Sequence, residues 1–233
     1  MGFFDIATAS TTTILRGGLG MSTRSVGPRP EQTLEIYEFE GCPFCRKVRE
    51  ALSMLDLEAD VKPCPKRGNR FRDPLIERGG KAQFPYLIDP NTGKEMYESG
   101  DIVDYLFAQY GSGTAPAALR GGAIATLAVV ASGVGRGKAG SLMRPSKAPA
   151  TPLELYSFEA SPFCRLVRET LCELELPYLL HNVAKGSARR DAFVELSGKM
   201  QVPYLVDPNT GIEMFESTDI IAYLEATYGL AGD

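Results

Sequence analysis

The sequence predicts an α/β protein made of two tandem copies of one unit, each a mixed four-stranded β-sheet flanked by helices. FEGCPFCRKVRE at 39–50 returns as FEASPFCRLVRE at 158–169, and IDPNTGKEMYESGDIVDYL at 88–106 returns as VDPNTGIEMFESTDIIAYL at 206–224. Self-similarity at a fixed spacing indicates duplicated structural units. The 233 residues suffice for two domains of about 100 residues each.

Each copy has the same order of predicted elements, βαβ–αββα. A β-rich apolar stretch, LEIYEF or LELYSF, predicts the first strand, and residues at helical spacing such as Val48, Leu52 and Leu55 predict the helix after it. Asp-Pro-Asn-Thr-Gly predicts a turn leading to a short hairpin strand. The βαβ crossover is expected to be right-handed. The other predicted elements are strands at 58–63 and 177–183, helices at 69–79 and 187–197, the strands PYLID and PYLVD, and a last helix through Ile102 or Ile220.

These patterns predict four segments of the chain. We expect a leader at 1–32, a first domain at 33–111, a helix and linker at 112–151, and a second domain at 152–233. Matching small-residue stretches predict leader helices at 3–16 and 116–133, and the Gly, Lys, Ser and Pro content of 135–151 predicts a connector.

Composition and charge exclude several classes of protein. A net charge of −4 leaves no basic face for nucleic acid, and no apolar run reaches the roughly 18 residues that a membrane span needs. Five cysteines with no bridging framework favour a reducing compartment. The first 30 residues are rich in Ser, Thr, Gly and Arg, as organelle transit peptides are.

The segment Cys42-Pro43-Phe44-Cys45 is the strongest candidate for chemistry. It lies between a predicted strand and a predicted helix, where unpaired amides carry partial positive charge and lower the pKa of a thiol. Cys45 is then three residues away, within reach of a mixed disulfide formed at Cys42. Half of a zinc site is the alternative, but spacing supplies no further pair of ligands.

With these motifs, the chain resembles glutaredoxins and the N-terminal domain of glutathione S-transferases, which share the thioredoxin fold. The resemblance rests on Cys-Pro-Phe-Cys after a strand, on Pro85 before Tyr-Leu-Ile-Asp, and on Glu98-Ser99 opening the last helix. It covers about two-thirds of the chain, once in each copy. The tandem arrangement resembles two-domain thioredoxin-like proteins of plants and algae, which implies a location in the chloroplast stroma, with the cytoplasm as the alternative.

The resemblance implies a role for each matching residue. Cys42 is implied as the nucleophile and Cys45 as the resolving thiol, with glutathione as co-substrate. The implied glutathione-binding residues of the first copy are Gln83, Phe84, Pro85 (as a cis-proline), Glu98 and Ser99. Those of the second copy are Gln201, Val202, Pro203, Glu216 and Ser217, beside Ser161 and Cys164 in place of the two cysteines.

Simpler interpretations stay open for several of these residues. Glu98-Ser99 is also a plausible helix cap, and Pro85 also suits the start of a strand as an ordinary trans proline. Cys64 is either a third redox thiol or an inert loop cysteine. Cys164 and Cys172 suit core positions, and His181 suits a structural one.

These features predict a glutathione-linked thiol–disulfide oxidoreductase acting on a disulfide or a glutathionylated substrate. The second copy, with Ser161 in place of the nucleophile, is expected to bind glutathione or to be degenerate. One alternative is a glutathione S-transferase using Ser161 or Cys42, because a Ser before Pro-Phe resembles serine-type transferases. Another is a non-enzymatic module holding glutathione or an iron–sulfur cluster in a dimer. We expect the copies to dock about a pseudo-two-fold axis or the chain to form a homodimer.

Overall fold

The computed structural model describes residues 3–120 and 136–230, and the predicted order of elements is present twice. A helix, α1 (Phe3–Leu15), precedes the first copy. The first copy contains β1 (Leu34–Glu38), α2 (Pro43–Leu55), β2 (Ala59–Pro63), α3 (Arg72–Gly79), β3 (Tyr86–Asp89), β4 (Lys94–Met96) and α4 (Ser99–Tyr110). The second contains β5 (Leu153–Ser157), α5 (Pro162–Glu173), β6 (Tyr178–Asn182), α6 (Arg190–Ser197), β7 (Tyr204–Asp207), β8 (Ile212–Phe215) and α7 (Ser217–Tyr228).

The boundaries agree with the sequence predictions except at a few places. Helices α3 and α6 each begin three residues later than the predicted 69 and 187. The first predicted leader helix is α1, whereas most of the second, 116–133, lies outside the described residues, and 117–119 form a turn. Within the described ranges, no helix is long and apolar enough to cross a bilayer.

The two copies share one eight-stranded sheet, with strand order β4-β3-β1-β2-β6-β5-β7-β8. In each copy the first two strands are parallel and the others antiparallel. The copies join where β2 pairs antiparallel with β6, with Val61 opposite Tyr178. This pairing covers two edge strands that would otherwise expose unpaired backbone groups, and it relates the copies by a pseudo-two-fold axis within one chain.

Alternation along the strands sets the layers of the fold. In β1, β2, β5 and β6, every second side chain is buried, which gives each strand one fully covered face. The main core includes residues from α2, α4, α5 and α7 together with these strands. Smaller clusters around Leu75 and Phe193 lie under α3 and α6.

The Asp-Pro-Asn-Thr-Gly turn reverses the chain and also forms a hydrogen-bond network centred on the buried Asp89. Asp89 accepts the Asn91 N–H at 2.8 Å, and its other carboxylate oxygen accepts the hydroxyls of Tyr105 and Tyr110, each at 2.6 Å. Burial opposes the charge, but these hydrogen bonds lower the pKa of Asp89. The second copy repeats this hydrogen-bond network with Asp207, Asn209, Tyr223 and Tyr228.

Arginine and glutamate side chains are buried together where the two copies meet. Arg168 of α5 pairs with Glu40 of the first copy at 3.0 Å and with Glu159 at 2.7 Å. Conversely, Arg49 of α2 in the first copy pairs with Glu159 of the second copy at 3.0 Å, and also with Glu38 of its own copy. Burial alone would raise the pKa of Glu159, but the surrounding guanidinium groups lower it to about 2.

Flanking pairs extend this ion-pair cluster in both directions. They are Arg46 with Glu50, Arg16 with Glu50, Arg165 with Glu169, and Arg136 with Glu169. Each arginine of α2 has its counterpart 119 residues later in α5, so the cluster follows the pseudo-two-fold axis.

Removing one member of the cluster is expected to be costly. Arg168→Ala leaves Glu40 and Glu159 buried with only one of the two guanidinium groups that they share, that of Arg49, so the free energy of unfolding should fall by roughly 3–5 kcal/mol. Urea denaturation followed by circular dichroism measures it. Arg78→Ala is the control, because Arg78 pairs with Glu95 at the exposed surface and should change stability by less than about 1 kcal/mol. Equal losses in both variants would contradict a stabilising role for the cluster.

Candidate functional site

Cys42 lies at the start of α2, as its sequence context predicts. It is the N-cap residue, in an extended conformation, and Pro43 occupies the first helical turn, where no amide hydrogen is needed. Its sulfur accepts the Cys45 N–H at 3.3 Å. The side chain of Cys42 is therefore held over the free amides of the helix.

The electrostatics of the two cysteines differ. The pKa of Cys42 is lowered, chiefly by the hydrogen bond with the Cys45 side chain. The amides of Cys45 and Phe44 and the charge of Arg49 lower it further, whereas burial opposes the shift. Burial, together with the adjacent Cys42, raises the pKa of Cys45 well above its ordinary value. Cys42 therefore ionises first and Cys45 stays a thiol, which is the order that nucleophile and resolving thiol require. All five cysteines are free.

A cavity of about 530 Å³ opens at Cys42. Of the residues predicted from the sequence, Cys42, Gln83, Phe84, Glu98 and Ser99 line it. Cys45 is fully buried behind Cys42, and Cys42 itself is only 4% exposed, so the cavity is the route to its sulfur. The Phe84–Pro85 bond is cis, as the family resemblance implies, and the trans alternative is wrong.

Glu98 adopts a backbone conformation that non-glycine residues rarely take. Its φ is 66°, it is the N-cap residue of α4, and its side chain makes no capping hydrogen bond. The Glu98-Ser99 pair does open α4, but the Glu98 side chain does not cap it. The Glu98 carboxylate accepts a hydrogen bond from the Gln83 amide beside the cavity. A strained backbone such as that of Glu98 is characteristic of functional sites.

The cavity is also lined by two cations, Lys66 and Arg72, which the sequence analysis did not single out. The Arg72 guanidinium lies 4.5 Å from the centroid of the Phe84 ring, and its Nε donates to the Pro65 carbonyl at 2.6 Å. Within the described part of the chain, neither cation forms an ion pair with a carboxylate, although the charge of Arg72 acts on Glu175 from a distance. Lys66 lies in a basic stretch, KPCPKR, and Arg72 follows six residues later, but neither position in the sequence reveals its proximity to Cys42.

The corresponding site of the second copy is smaller. Ser161 Oγ accepts the Cys164 N–H at 3.3 Å, which repeats the geometry of Cys42 with oxygen in place of sulfur. A cavity of about 200 Å³ is lined by Phe163, Gln201, Val202, Pro203, Glu216 and Ser217, but not by Ser161. Met200 stands where the first copy has Ala82, and it packs against the cluster around Phe193. The Val202–Pro203 bond is also cis, and Glu216 has a φ of 67°.

The remaining candidates have structural surroundings. Cys64, Cys164 and Cys172 are buried, and burial raises the pKa of each thiol. His181 bonds to Glu58 at 2.8 Å and to Glu154 at 3.1 Å. Over residues 3–120 and 136–230, no group of three or more His, Cys, Asp or Glu side chains is arranged to hold a metal ion.

The profile of the family described as "Glutathione S-transferase, N-terminal domain" matches residues 36–116 and 155–232. The chain belongs to this family. Both copies match it, and the matched stretches contain Cys42, Ser161 and the two Glu-Ser pairs. The fold is accordingly the thioredoxin-like fold of glutathione S-transferases, present twice.

Two proteins are similar to this tandem member of the family. The glutathione S-transferase-like protein OpS6 of Beauveria bassiana is 35% identical over 81 residues, which is 35% of this chain and 37% of that protein. The chain thus matches well under half of that relative's length. A solved structure titled "Leishmania TDR1 - a unique trimeric glutathione transferase" is 14% identical, with a TM-score of 0.31, over 87% of this chain and 68% of that one.

The reactivity of Cys42 should depend on pH in a defined direction. Because its pKa is lowered, the thiolate should form as pH rises through a midpoint below the ~8.5 of free cysteine. The rate of iodoacetamide modification, followed peptide by peptide with mass spectrometry, measures this midpoint. Cys164 is the control, because it is buried and its pKa is raised, so it should react slowly throughout. A midpoint at or above 8.5 for Cys42 would contradict the assignment.

Proposed function

We propose that the chain is a glutathione-linked thiol–disulfide oxidoreductase whose reaction takes place in the first copy. The observation that supports this proposal most directly is the position of Cys42. Its sulfur caps a helix, has a lowered pKa and faces a cavity lined by Glu98 and Ser99. Membership in a glutathione-related family supports glutathione as the small thiol.

The reaction has two displacement steps. The Cys42 thiolate attacks the glutathione sulfur of a mixed disulfide, the substrate leaves as a thiolate that takes up a proton, and a Cys42–glutathione disulfide forms. A second glutathione thiolate then attacks that disulfide, which releases oxidised glutathione and restores the Cys42 thiolate. With a protein disulfide, the Cys42 thiolate binds one substrate sulfur and the other leaves as a thiolate, which takes the proton of Cys45; Cys45 then displaces the first substrate sulfur and a Cys42–Cys45 disulfide forms. Two glutathione molecules in succession reduce that disulfide and leave as oxidised glutathione.

The charges of the cavity fit an anionic tripeptide. Glu98 can accept from the ammonium group of the γ-glutamyl end, and the amides at the start of α4 can donate to its carboxylate. Lys66 and Arg72 supply two unpaired cations for the glycyl carboxylate or for another anionic part of a substrate. The second copy has Lys185 and Arg190 at the matching positions, but neither lines its cavity.

Single substitutions of the two cysteines distinguish reduction of glutathione mixed disulfides from reduction of protein disulfides. Cys42→Ser should lose all reduction of the mixed disulfide of glutathione and 2-mercaptoethanol. Cys45→Ser should keep that activity, because a second glutathione resolves the intermediate, and should lose reduction of protein disulfides. The assay couples oxidised glutathione to its reductase and follows the consumption of the nicotinamide cofactor.

Ser161→Ala is the matched control for this experiment, because Ser161 occupies the same helix position in the second copy. It should leave both activities unchanged. Conjugation of glutathione to chlorodinitrobenzene that survives in Cys42→Ser and disappears in Ser161→Ala would instead indicate a transferase that uses the second copy.

Replacement of Arg72 tests the cavity separately from the thiol chemistry. Arg72→Met should weaken glutathione binding about tenfold or more, because a hydrogen bond to a charged group contributes roughly 1.5–3 kcal/mol. Isothermal titration calorimetry on a Cys42→Ser background measures the affinity without turnover. Arg190→Met is the control, and equal weakening by both substitutions would remove Arg72 from the binding site.

A further inference from the structure

The loop immediately before Cys42 is held by residues from the other half of the chain. The N–H of Gly41 donates to the carbonyl of Gly140 at 3.0 Å, and the N–H of Glu40 donates to the sulfur of Cys172 at 3.4 Å. The Cys172 thiol in turn donates to the same Gly140 carbonyl at 3.4 Å. The two backbone N–H groups that precede Cys42, those of Glu40 and Gly41, therefore donate to Cys172 and Gly140 respectively.

Gly140 belongs to a segment, residues 139–143, that we call the strap. A side chain at Gly41 would bring its first carbon within 1.9 Å of Ser141 Oγ, so the strap lies directly against the loop. The strap then continues beside Lys66, whose N–H donates to the Ser141 carbonyl at 2.8 Å and whose carbonyl accepts the Met143 N–H at 3.0 Å. It thus runs from the back of Cys42 to a cation on the rim of the cavity.

The close approach requires glycine at position 140. Its φ is +67°, and an added side-chain carbon would lie 2.8 Å from the Cβ of Glu40. The loop has a third support, because Arg49 Nη2 donates to the Glu40 carbonyl at 3.1 Å. Since Glu40 also pairs with Arg168, the loop is part of the ion-pair cluster between the copies.

The second copy contains a matched version of the same support. Gly20 has a φ of +78°, and a carbon added there would lie 2.9 Å from the Cβ of Glu159. The N–H of Glu159 donates to Ser53 Oγ at 3.0 Å, as that of Glu40 donates to Cys172. The chain therefore provides its own control, with a glycine approach and a Glu N–H bond next to Ser161 that resemble those next to Cys42.

We propose that Gly140 and Cys172 are positioning residues for Cys42, through which the second half of the chain keeps the sulfur over the amides of α2. Neither residue touches the cavity; they act through the peptide units of Glu40 and Gly41. In this arrangement the second copy contributes to the reaction without a nucleophile of its own. The inference rests on the proposed function for its catalytic consequence, but it concerns the thiolate itself and can be measured without turnover.

The test is the pH profile of Cys42 alkylation in the full chain. Gly140→Ala should let the loop shift, weaken the bond from the Cys45 N–H, and raise the midpoint by roughly one pH unit, which is about tenfold less thiolate below the midpoint. Gly20→Ala introduces a similar clash and a similar backbone strain beside Glu159. It should lower stability to a similar extent and leave the Cys42 midpoint unchanged.

A second pair of variants avoids the backbone clash. Cys172→Ala removes the acceptor for the Glu40 N–H and should raise the midpoint, whereas Cys172→Ser should restore it, because Ser53 makes the same bond in the other copy. If Gly140→Ala does not fold, this pair decides. A Cys42 midpoint that stays at the wild-type value in Cys172→Ala, and in Gly140→Ala where it folds, overturns the inference.

The two proposals fail in different ways. A wild-type protein with a low Cys42 midpoint that does not reduce a glutathione mixed disulfide would remove the proposed function. The inference would still stand in that case if the midpoint rises in Gly140→Ala and Cys172→Ala but not in Gly20→Ala.

Discussion

The buried guanidinium–carboxylate cluster between the copies is the interaction on which the rest of the structure depends. Charges taken from water are tolerated only when each meets an opposite charge in good geometry. Arg49 and Arg168 each pair with a glutamate of both copies, so the buried charges of each copy are satisfied partly by the other copy. The docking of the copies and the register of β2 with β6 are thereby fixed together.

The same cluster extends to the chemistry. Arg49 holds the carbonyl of Glu40 and contributes to the lowered pKa of Cys42, while Glu40 is anchored by Arg168 of the second copy. The loop of Glu40 and Gly41 that precedes Cys42 is hydrogen-bonded to Gly140 and Cys172 as well as to Arg49. The surroundings of Cys42 in the first copy therefore include contacts from the interface between both copies.

Duplication allowed the two sites to diverge within one scaffold. Both keep a cis proline and a glutamate at positive φ, so the two cavities have the same backbone shape at these positions. The first copy has sulfur at the helix start, Ala82 beside the cavity and two unpaired cations in its lining. The second has Ser161 and Met200, and a cavity less than half as large. A scaffold role fits these differences, because support for the other copy requires only the shared fold and the cluster.

The amino-acid sequence by itself determined the repeat, the order of strands and helices, and the place of Cys42 between β1 and α2, because strand alternation and helix periodicity are local patterns. It also indicated the Glu-Ser pair through family resemblance. Only the tertiary structure decided that the two sheets fuse into one, that Lys66 and Arg72 face the cavity, and that Gly140 and Cys172 contact the loop before Cys42. These features depend on contacts between residues more than 70 positions apart or on the folding of a loop in space, and no local pattern records which side chain meets which.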